Sequence, residues 1–593
     1  MRRPVGIGAL YLALAVVFTS PLFAFPNATG WRDWDFHLFL HAAVLKSLVE
    51  YGQLPLWNPW QCGGNVLWAN PQAAFFSPVY PLAAVMSIPL AMKINIVFHY
   101  WIGLVGMHLL LTRIFGIQPG LKTRPTSSLL ILFLASAFVF SGAPALHLAA
   151  GHANFLPVFY LPFLLYFFFL AIGSGALKHA VLAGAVLALM AWNGGLHVVP
   201  MAAAAVGMLG VVSSIARRDW RPILVASVVG VFGALFAAPR IVPLLSFVTS
   251  PQFFDARSQG GHPDLMTYEM LLRSLLDPWQ NRGFRLEGQI YEWFEYGNYV
   301  GLPFVLAAVA SVFLVFRSRF LSNRWFGVAL AAATIAMLVV AAGEFSPWAP
   351  ASILAHVPFV SSFRVPSRYI IVATLCAVLT VAWMARTLNV DALGPRARVV
   401  VAILCLLATG DLIYRNHAML GGAFVQDPVE TRFHLLDGPT TLAINSRTSP
   451  SEWGSPMFRA LMNGESFYRC YEVMQTARKA DTLHPLIWSD GEAQITSFTF
   501  SPNQIDFTVT RGGTPSRVLL NQNFAPGWFS DAGVVQPDPE TGQPSVVLAP
   551  GRGGTFAFVF TPSGLLLGCG LGLSGLAAAA YAWPRRLRPA QVR

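Results

Sequence analysis

Residues 127–172 read "SSLLILFLASAFVFSGAPALHLAAGHANFLPVFYLPFLLYFFFLAI", and they decide the fold. A helix needs about 20 mainly apolar residues to cross roughly 30 Å of hydrocarbon. The runs 127–146 and 155–172 are both close to that length, and the short polar stretch between them allows the chain to reverse at the membrane surface. The stretch therefore predicts two consecutive membrane-spanning helices.

The same pattern recurs along the whole chain. Hydrophobic residues make up 55% of the 593 residues and charged residues only 11%, against about 25% charged in an average soluble protein. This composition excludes a soluble multidomain enzyme. The spans that we predict are 5–25, 92–112, 127–146, 155–172, 179–198, 200–216, 222–246, 298–316, 325–343, 368–386, 399–415 and 563–583.

Basic residues predict the orientation of these spans. Arginine and lysine accumulate in the cytoplasmic loops of membrane proteins, and here they fall in alternate connections, such as 217–221 and 317–324, and at both ends of the chain. Both termini are therefore expected in the cytoplasm. The first segment also fits a cleaved signal peptide, but its length favours an uncleaved anchor.

The connections divide the chain into three parts. Residues 1–415 form a multi-pass module with long outward loops at 26–91 and 247–297, and residues 563–593 form a last helix and a basic tail. Between them, 416–562 is a soluble outward block. Its strings "ITSFTFSPNQIDFTVT" and "PSVVLAPGRGGTFAFVF" alternate as antiparallel strands do, which predicts a β-rich domain. The part before about residue 490 has no clear period.

The formal net charge of +12 does not indicate nucleic acid, because cytoplasmic loops account for such an excess in a membrane protein. The cysteines show no CxxC spacing, and no zinc or redox site is expected. Cys62 and Cys470 could pair only if the fold brings them together.

The outward segment after the first span begins "WRDWDFHLFLHAAVLKSLVEYGQLPLWNPWQCGGNVLWANPQ". Asp33 and Asp35 stand close to the outer membrane surface, at the start of a polar helical stretch from Trp34 to Tyr51. They could act chemically as carboxylates, or they could serve as acidic residues in the first turn of a helix, where the helix dipole favours them.

Four other polar clusters lie near outward helix ends. Each also has a structural explanation, such as helix capping or anchoring at lipid headgroups. Two arginines four residues apart suit an anionic group such as phosphate, and an ionisable group near an apolar span is often functional. The candidates are His147, His152 and Asn154 in "HLAAGHANF", Arg364 and Arg368 in "FRVPSRY", Glu292 and Glu295 in "YEWFEYGNYVG", and Arg240 in "AAPRIVP".

The order of these parts resembles the bacterial YfhO-like membrane proteins, which are placed in the C-type (GT-C) glycosyltransferase superfamily. The matching strings are the outward aspartate after the first helix, "GQLPLWNPWQCGGNVLWANPQ", "GHANF", "FRVPSRY" and the terminal "LLNQNFAPGWFSD…VVLAPGRGGTFAFVFTP". The resemblance covers nearly the whole chain, and it implies a place in the bacterial cytoplasmic (inner) membrane. It departs from the family in the doublet, because both Asp33 and Asp35 are present.

The resemblance implies a GT-C-like fold and transfer of a sugar from a polyprenyl-phosphate-linked donor to an extracytoplasmic glycan, lipid or protein. A carboxylate can take the proton of the attacking hydroxyl, with Asp35 our first choice and Asp33 the second. Arginines can stabilise the lipid phosphate that leaves: Arg364 and Arg368, with Arg240 as a further candidate. His152, Asn154 and Glu295 are expected to shape the substrate site.

Two other functions stay open at this point. A transporter of polyprenyl-linked lipid or glycan is disfavoured, because the halves show no obvious internal repeat, while a non-catalytic envelope assembly factor cannot be dismissed from the sequence. No metal ligands are assigned, and no cofactor is certain, although a divalent cation stays open.

Overall fold

The computed structural model describes residues 2–119, 125–251, 253–255, 265–280, 292–317, 324–356, 365–429, 456–466, 474–476, 479–481 and 483–587. Within these residues the chain is mainly helical. The α-helices are α1 (Arg2–Thr19), α2 (Asp33–Val49), α3 (Val79–Ala83), α4 (Ile88–Leu109), α5 (Pro125–Val139), α6 (Gly142–Ala150), α7 (Leu161–Ser174), α8 (Leu177–Trp192), α9 (Val198–Arg217), α10 (Arg221–Val248), α11 (Tyr268–Leu276), α12 (Trp293–Tyr296), α13 (Leu302–Arg317), α14 (Arg324–Ala341), α15 (Pro350–Ala355), α16 (Ile370–Thr387), α17 (Pro395–His417), α18 (Pro456–Met462) and α19 (Leu565–Ala582).

In the described part of the chain, 10 helical segments are long and apolar enough to cross a membrane, by length and composition. Two shorter apolar helices, α8 and α13, stand at the two remaining predicted positions. Every span predicted from the sequence therefore has a helix at its place, and the chain is a polytopic α-helical membrane protein. The 10 segments are Gly6–Phe23, Ile88–Ile114, Pro125–Ala150, Ala153–Ser174, Val198–Arg217, Arg221–Val248, Arg324–Ala341, Pro366–Thr387, Pro395–Gly422 and Leu565–Ala582.

Contacts between loops agree with the predicted alternation of sides. At the predicted cytoplasmic side, Ala176 forms an antiparallel bridge with Arg586 of the basic tail. On the same side, Ser127 donates to Asp391 at 2.8 Å. At the opposite side, Thr29 bridges to Gln426. Each contact joins two segments that were predicted to share a side, whereas the absolute orientation stays a prediction.

The block before the last helix is β-rich, as predicted. Its strands are β5 (Ile487–Asp490), β6 (Ile495–Ser501), β7 (Gln504–Val509), β8 (Ser516–Leu520), β9 (Trp528–Ser530), β10 (Gln536–Pro537), β11 (Pro544–Leu548) and β12 (Gly554–Phe560). They form two four-stranded antiparallel sheets, in the orders β10-β11-β8-β5 and β6-β7-β12-β9. The first quoted string forms the paired strands β6 and β7, whereas the second forms β11 and β12, which lie in different sheets. Strands β1 (Trp57–Asn58) and β2 (Asn65–Val66), and β3 (Phe253–Asp255) and β4 (Met474–Thr476), form two small separate pairs.

The core of the β-domain includes part of the outward loop 26–91. Trp57 is fully buried against rings of both β9 and β12, with ring centroids 5.2 Å from Trp528 and 4.6 Å from Phe560. Burying a tryptophan removes a large apolar area from water, which favours association of the loop with the sheets. The β-domain is therefore fixed to the membrane module by an apolar contact.

Two buried asparagines add directional bonds to this contact. The side chain of Asn523 donates to the carbonyls of Cys62 and Gly64 at 2.6 and 2.8 Å. Asn503 accepts from the backbone N–H of Trp57 at 3.0 Å and donates to the carbonyl of Leu54. The strings "PLWNPWQCGG" and "NQNFAPGW" thus bind one another, which gives them a structural role.

Gly64 shows why this contact needs glycine. Its φ of +99° is unfavourable for other residues, and a Cβ atom there would lie 2.2 Å from Oε1 of Gln522. Nearby, Cys62 is disulfide-bonded, while Cys376, Cys405 and Cys569 are free thiols. Cys470 lies outside the described residues.

Candidate active site

Asp33 is the first residue of α2, and the backbone before it is strained. Arg32 has φ +56° and ψ −130°, a conformation that L-residues rarely adopt. Its guanidinium is held by Glu292 through two hydrogen bonds of 2.7 and 3.2 Å and lies over the ring of Trp31. Such strain persists only where neighbouring contacts impose it, and it is common at functional sites.

Gly151 allows a second segment to approach the start of α2. It ends α6 with φ +102°, and a Cβ atom there would lie 2.4 Å from the backbone nitrogen of Trp34. Because the glycine permits this approach, His152 reaches Asp33, with Nε2 3.1 Å from Oδ2. The side chain of Asp33 is 31% exposed and that of His152 12%. Asp33 is thus a carboxylate with both a histidine partner and access to solvent.

A second histidine extends this pair inward. Nδ1 of His152 lies 2.8 Å from Nδ1 of His147. If Asp33 is ionised it can only accept, so Nε2 of His152 carries the proton between them. His147 stacks on Phe155 with ring centroids 3.8 Å apart. The three side chains Asp33, His152 and His147 therefore form a continuous hydrogen-bonded chain from the surface to the interior.

The pair Glu295–Arg368 lies next to this chain. Arg368 donates through Nε and Nη2 to the two carboxylate oxygens of Glu295, at 2.6 and 2.5 Å, and it lies over the ring of Phe155 at 5.2 Å. Burial alone would raise the pKa of Glu295, but the charge and hydrogen bonds of Arg368 and the field of His147 lower it to about 2. The carboxylate is therefore ionised at neutral pH, and the ion pair is formed.

Asp33, His152, Glu295 and Arg368 came from separate parts of the sequence, and the structure brings them together. The sequence did not single out Arg32 at all. The sequence places Glu292 and His147 in polar clusters but predicts no role for either. The left-handed conformation of Arg32 could not be predicted, because arginine gives no signal for a positive φ.

Asp35 lies apart from this cluster. It is 5% exposed, and its two oxygens accept the backbone N–H groups of Met457 and Phe458 at 3.0 and 2.9 Å. Burial raises the pKa of Asp35 to about 7, against the lowering effect of these two bonds. In this structure Asp35 binds the start of α18, and its assignment as a base stays a prediction.

Two further predicted residues, Arg240 and Asn154, have other surroundings. Arg240 is fully buried, and it donates to the carbonyls of Asn70, Ala73 and Ala191, so its partners here are backbone atoms. Arg364 lies outside the described residues. Asn154 is 5% exposed and lines a small polar cavity beside α2.

The described part of the chain was also considered for clusters of metal-binding side chains. There, no group of three or more His, Cys, Asp or Glu side chains is placed to hold a metal ion. We therefore derive no chemical step that involves a metal.

Comparison with known proteins gave likenesses to solved structures only. No protein-family model matches the chain, and no curated protein matches it either. The arabinofuranosyltransferase AftD from mycobacteria is similar with a TM-score of 0.43 and 16% identity, over 72% of this chain and 27% of that one. A mutant form of AftD gives 0.40 and 14%, over 72% and 28%. The chain thus spans about a quarter of the length of this enzyme.

Proposed function

We propose that the protein is a GT-C-type membrane glycosyltransferase that moves a sugar from a polyprenyl-phosphate-linked donor to an extracytoplasmic glycan, lipid or protein. One observation carries the proposal: the Asp33–His152 pair lies beside the Glu295–Arg368 pair at the predicted outer end of the membrane module. A base and an arginine in one place are the two groups that this transfer requires.

In the proposed reaction an acceptor hydroxyl attacks the anomeric carbon of the donor sugar. The bond from that carbon to the acceptor oxygen forms while the bond to the phosphate oxygen breaks. Asp33 takes the proton of the attacking hydroxyl, and polyprenyl phosphate leaves with the electron pair of the broken bond. His152 orients the Asp33 carboxylate through the 3.1 Å contact.

Asp33 suits the role of base better than Asp35 for a geometric reason. A base must reach a substrate proton at hydrogen-bond distance, and Asp33 is 31% exposed at its side chain. Both oxygens of Asp35 accept from backbone groups of α18. We therefore propose Asp33 as the base ahead of Asp35, the reverse of the order expected from the sequence alone.

Arg368 is the proposed ligand of the leaving phosphate, and Arg364 is its proposed partner. A guanidinium has five donors in a rigid plane, and the bonds to Glu295 fix the orientation of that plane. The geometry is thus set before the donor arrives, which reduces the cost of ordering the site. Arg240 is kept as a candidate of lower priority, because its described partners are carbonyls.

The test uses the purified full chain in lipid nanodiscs. Radiolabelled polyprenyl-phosphate hexose and pentose are offered with envelope glycan and lipid extracts as acceptors, and transfer of label is measured. Wild-type protein should transfer label, and Asp33→Asn should reduce the rate by about 10²–10⁴. If the wild-type protein transfers label from none of the donors, and a gene-deletion strain has unchanged envelope glycans, the proposal is refuted.

A further inference from the structure

A small polar cavity lies beside α2, lined from His37 onward, one helical turn after Asp33, and the reaction described above does not use it. His37 and His41 follow Asp33 at intervals of four residues on α2, so the three side chains lie on the same face of that helix. Side chains from α4, from the loop between β2 and α3, and from the segments after α6 and α8 complete the wall. The polar lining consists of His37, His41, Gln72, Asn95, Asn154 and Asn193.

Three buried acceptor atoms in this lining have no hydrogen-bond partner among the described residues. They are Nε2 of His41, Oδ1 of Asn95 and Oδ1 of Asn154, in residues that are only 4%, 2% and 5% exposed. Nδ1 of His41 lies 2.8 Å from the carbonyl of His37 and must donate to it, so Nε2 carries only a lone pair. Buried polar atoms are normally paired, so this cavity lacks a group that donates hydrogen bonds.

The charge of the lining indicates what kind of donor fits. No carboxylate is among the described lining residues, so a bound cation would have no counter-charge there. Burial lowers the pKa of His37 to about 3 and that of His41 to about 4, which keeps both rings neutral. A neutral hydroxyl, which donates one bond and accepts others, matches such a wall better than an ion does.

The size of the cavity limits how much of a ligand can enter. Its enclosed part has room for about one water-sized group. A hydroxyl or hydroxymethyl group can therefore enter while the ring that bears it stays at the mouth.

We propose that this cavity recognises a hydroxyl group of the transferred sugar, with His41, Asn95 and Asn154 as the accepting side chains. The inference rests on the proposed function and deepens it, because it assigns the residues that select the sugar. Because His37 of the lining is one helical turn from Asp33, a sugar bound at this cavity lies close to the proposed base.

The first experiment measures binding of free sugars to the full chain in nanodiscs. Saturation-transfer NMR is recorded with D-arabinose, D-mannose, D-glucose and D-galactose, each offered separately. At least one sugar should give a signal with wild-type protein, and Asn95→Leu and Asn154→Leu should each reduce that signal at least tenfold. Because leucine has nearly the shape of asparagine and removes an unpaired acceptor, the thermal midpoint of both variants should stay equal or rise.

Ser213→Ala is the matched control. The hydroxyl of Ser213 is also buried without a partner among the described residues, but it lies on α9 outside the cavity lining. Removing it should leave the sugar signal unchanged. Loss of the signal in this variant as well would overturn the assignment to the cavity.

Asp33→Asn separates this inference from the proposed function. It should keep the sugar signal and lose transfer. If the wild-type chain transfers sugar but no sugar gives a signal that depends on Asn95 and Asn154, the cavity holds only water and the inference is overturned. If such a signal exists but no donor is ever used, the proposed function fails while the binding site stands.

Discussion

The carboxylate of Asp35 accepts the backbone N–H of Phe458 at 2.9 Å, across 423 positions of the sequence. Its other oxygen accepts from Met457, so one buried side chain binds two of the N–H groups that a helix start leaves unpaired. Asp33, two residues earlier, instead contacts His152 near the surface. Neighbouring aspartates of the same helix turn thus have different partners and different expected roles.

For Asp35 we expect a loss of stability and not of catalysis. Asp35→Ala leaves two buried N–H groups without a partner and should lower the free energy of unfolding by about 1–3 kcal/mol for each group. Asp35→Asn keeps one acceptor oxygen and should cost less. Thermal unfolding of the two variants and the wild type should show this order of stability. Sugar transfer per folded molecule should stay near the wild-type rate in both variants. A stable Asp35→Asn protein without transfer would return the role of base to Asp35.

His152 should act by positioning Asp33. His152→Leu removes the donor that orients the carboxylate, so kcat should fall by about tenfold or more, but by less than the 10²–10⁴ expected for Asp33→Asn. His152→Gln offers a donor again and should restore part of the rate. Full activity of the leucine variant at an unchanged pH optimum would show that the contact has no part in the reaction.

The Glu295–Arg368 pair should make stability depend on pH in one direction. The pKa of Glu295 is about 2 in the folded chain against an ordinary value of 4.5, so its contribution is fully present above pH 4.5. It should be lost as the pH falls from 4.5 to about 2, by up to about 3 kcal/mol at 1.36 kcal/mol per pKa unit. Thermal unfolding of wild type and Glu295→Gln is compared between pH 2 and 7.

The difference between these two proteins should be constant above pH 5 and should shrink toward pH 2. Glu269→Gln is the control, because the Glu269 side chain is 71% exposed in its pair with Arg273 and such a pair adds little. A Glu295→Gln difference that does not change with pH would contradict the ionised pair.

The contact between the outward loop and the β-domain should depend on Gly64 and Asn523. Gly64→Ala forces a Cβ atom against Gln522 and a strained φ of +99°, so the thermal midpoint should fall by several degrees and proteolysis within 483–562 should speed up. Asn523→Leu should do the same, because it leaves the buried carbonyls of Cys62 and Gly64 without their donor. Gly551→Ala is the control, because Gly551 has φ +75° but open space around it. It measures the cost of backbone strain alone, without the steric clash expected at Gly64.

The sequence predicts the fold far better than the site, for a physical reason. The length of an apolar span follows from the helical rise of 1.5 Å per residue, and the alternation of a strand follows from its side-chain period of two. Both are local patterns, so the twelve spans and the hairpin β6–β7 could be predicted. The partners of Asp35 and Arg240 come from distant segments and depend on packing. No local pattern distinguishes an aspartate that binds a distant helix start from one that contacts a histidine near the surface, and only the structure shows these different partners of Asp35 and Asp33.

The orientation of the chain can be tested with two single cysteines. Thr514 lies exposed on the β-domain and Arg217 lies exposed at the end of α9, on opposite predicted sides of the membrane. Cys569→Ser first removes the exposed native thiol. A membrane-impermeant maleimide should then label Thr514→Cys in intact cells, whereas Arg217→Cys should react only after the cells are permeabilised. The reason is the excess of arginine around 217–221, which opposes transfer of that loop across the membrane. Labelling of Arg217→Cys in intact cells, with Thr514→Cys protected, would invert the orientation and place the Asp33 cluster on the cytoplasmic side. An acceptor outside the cytoplasm could then no longer be its substrate.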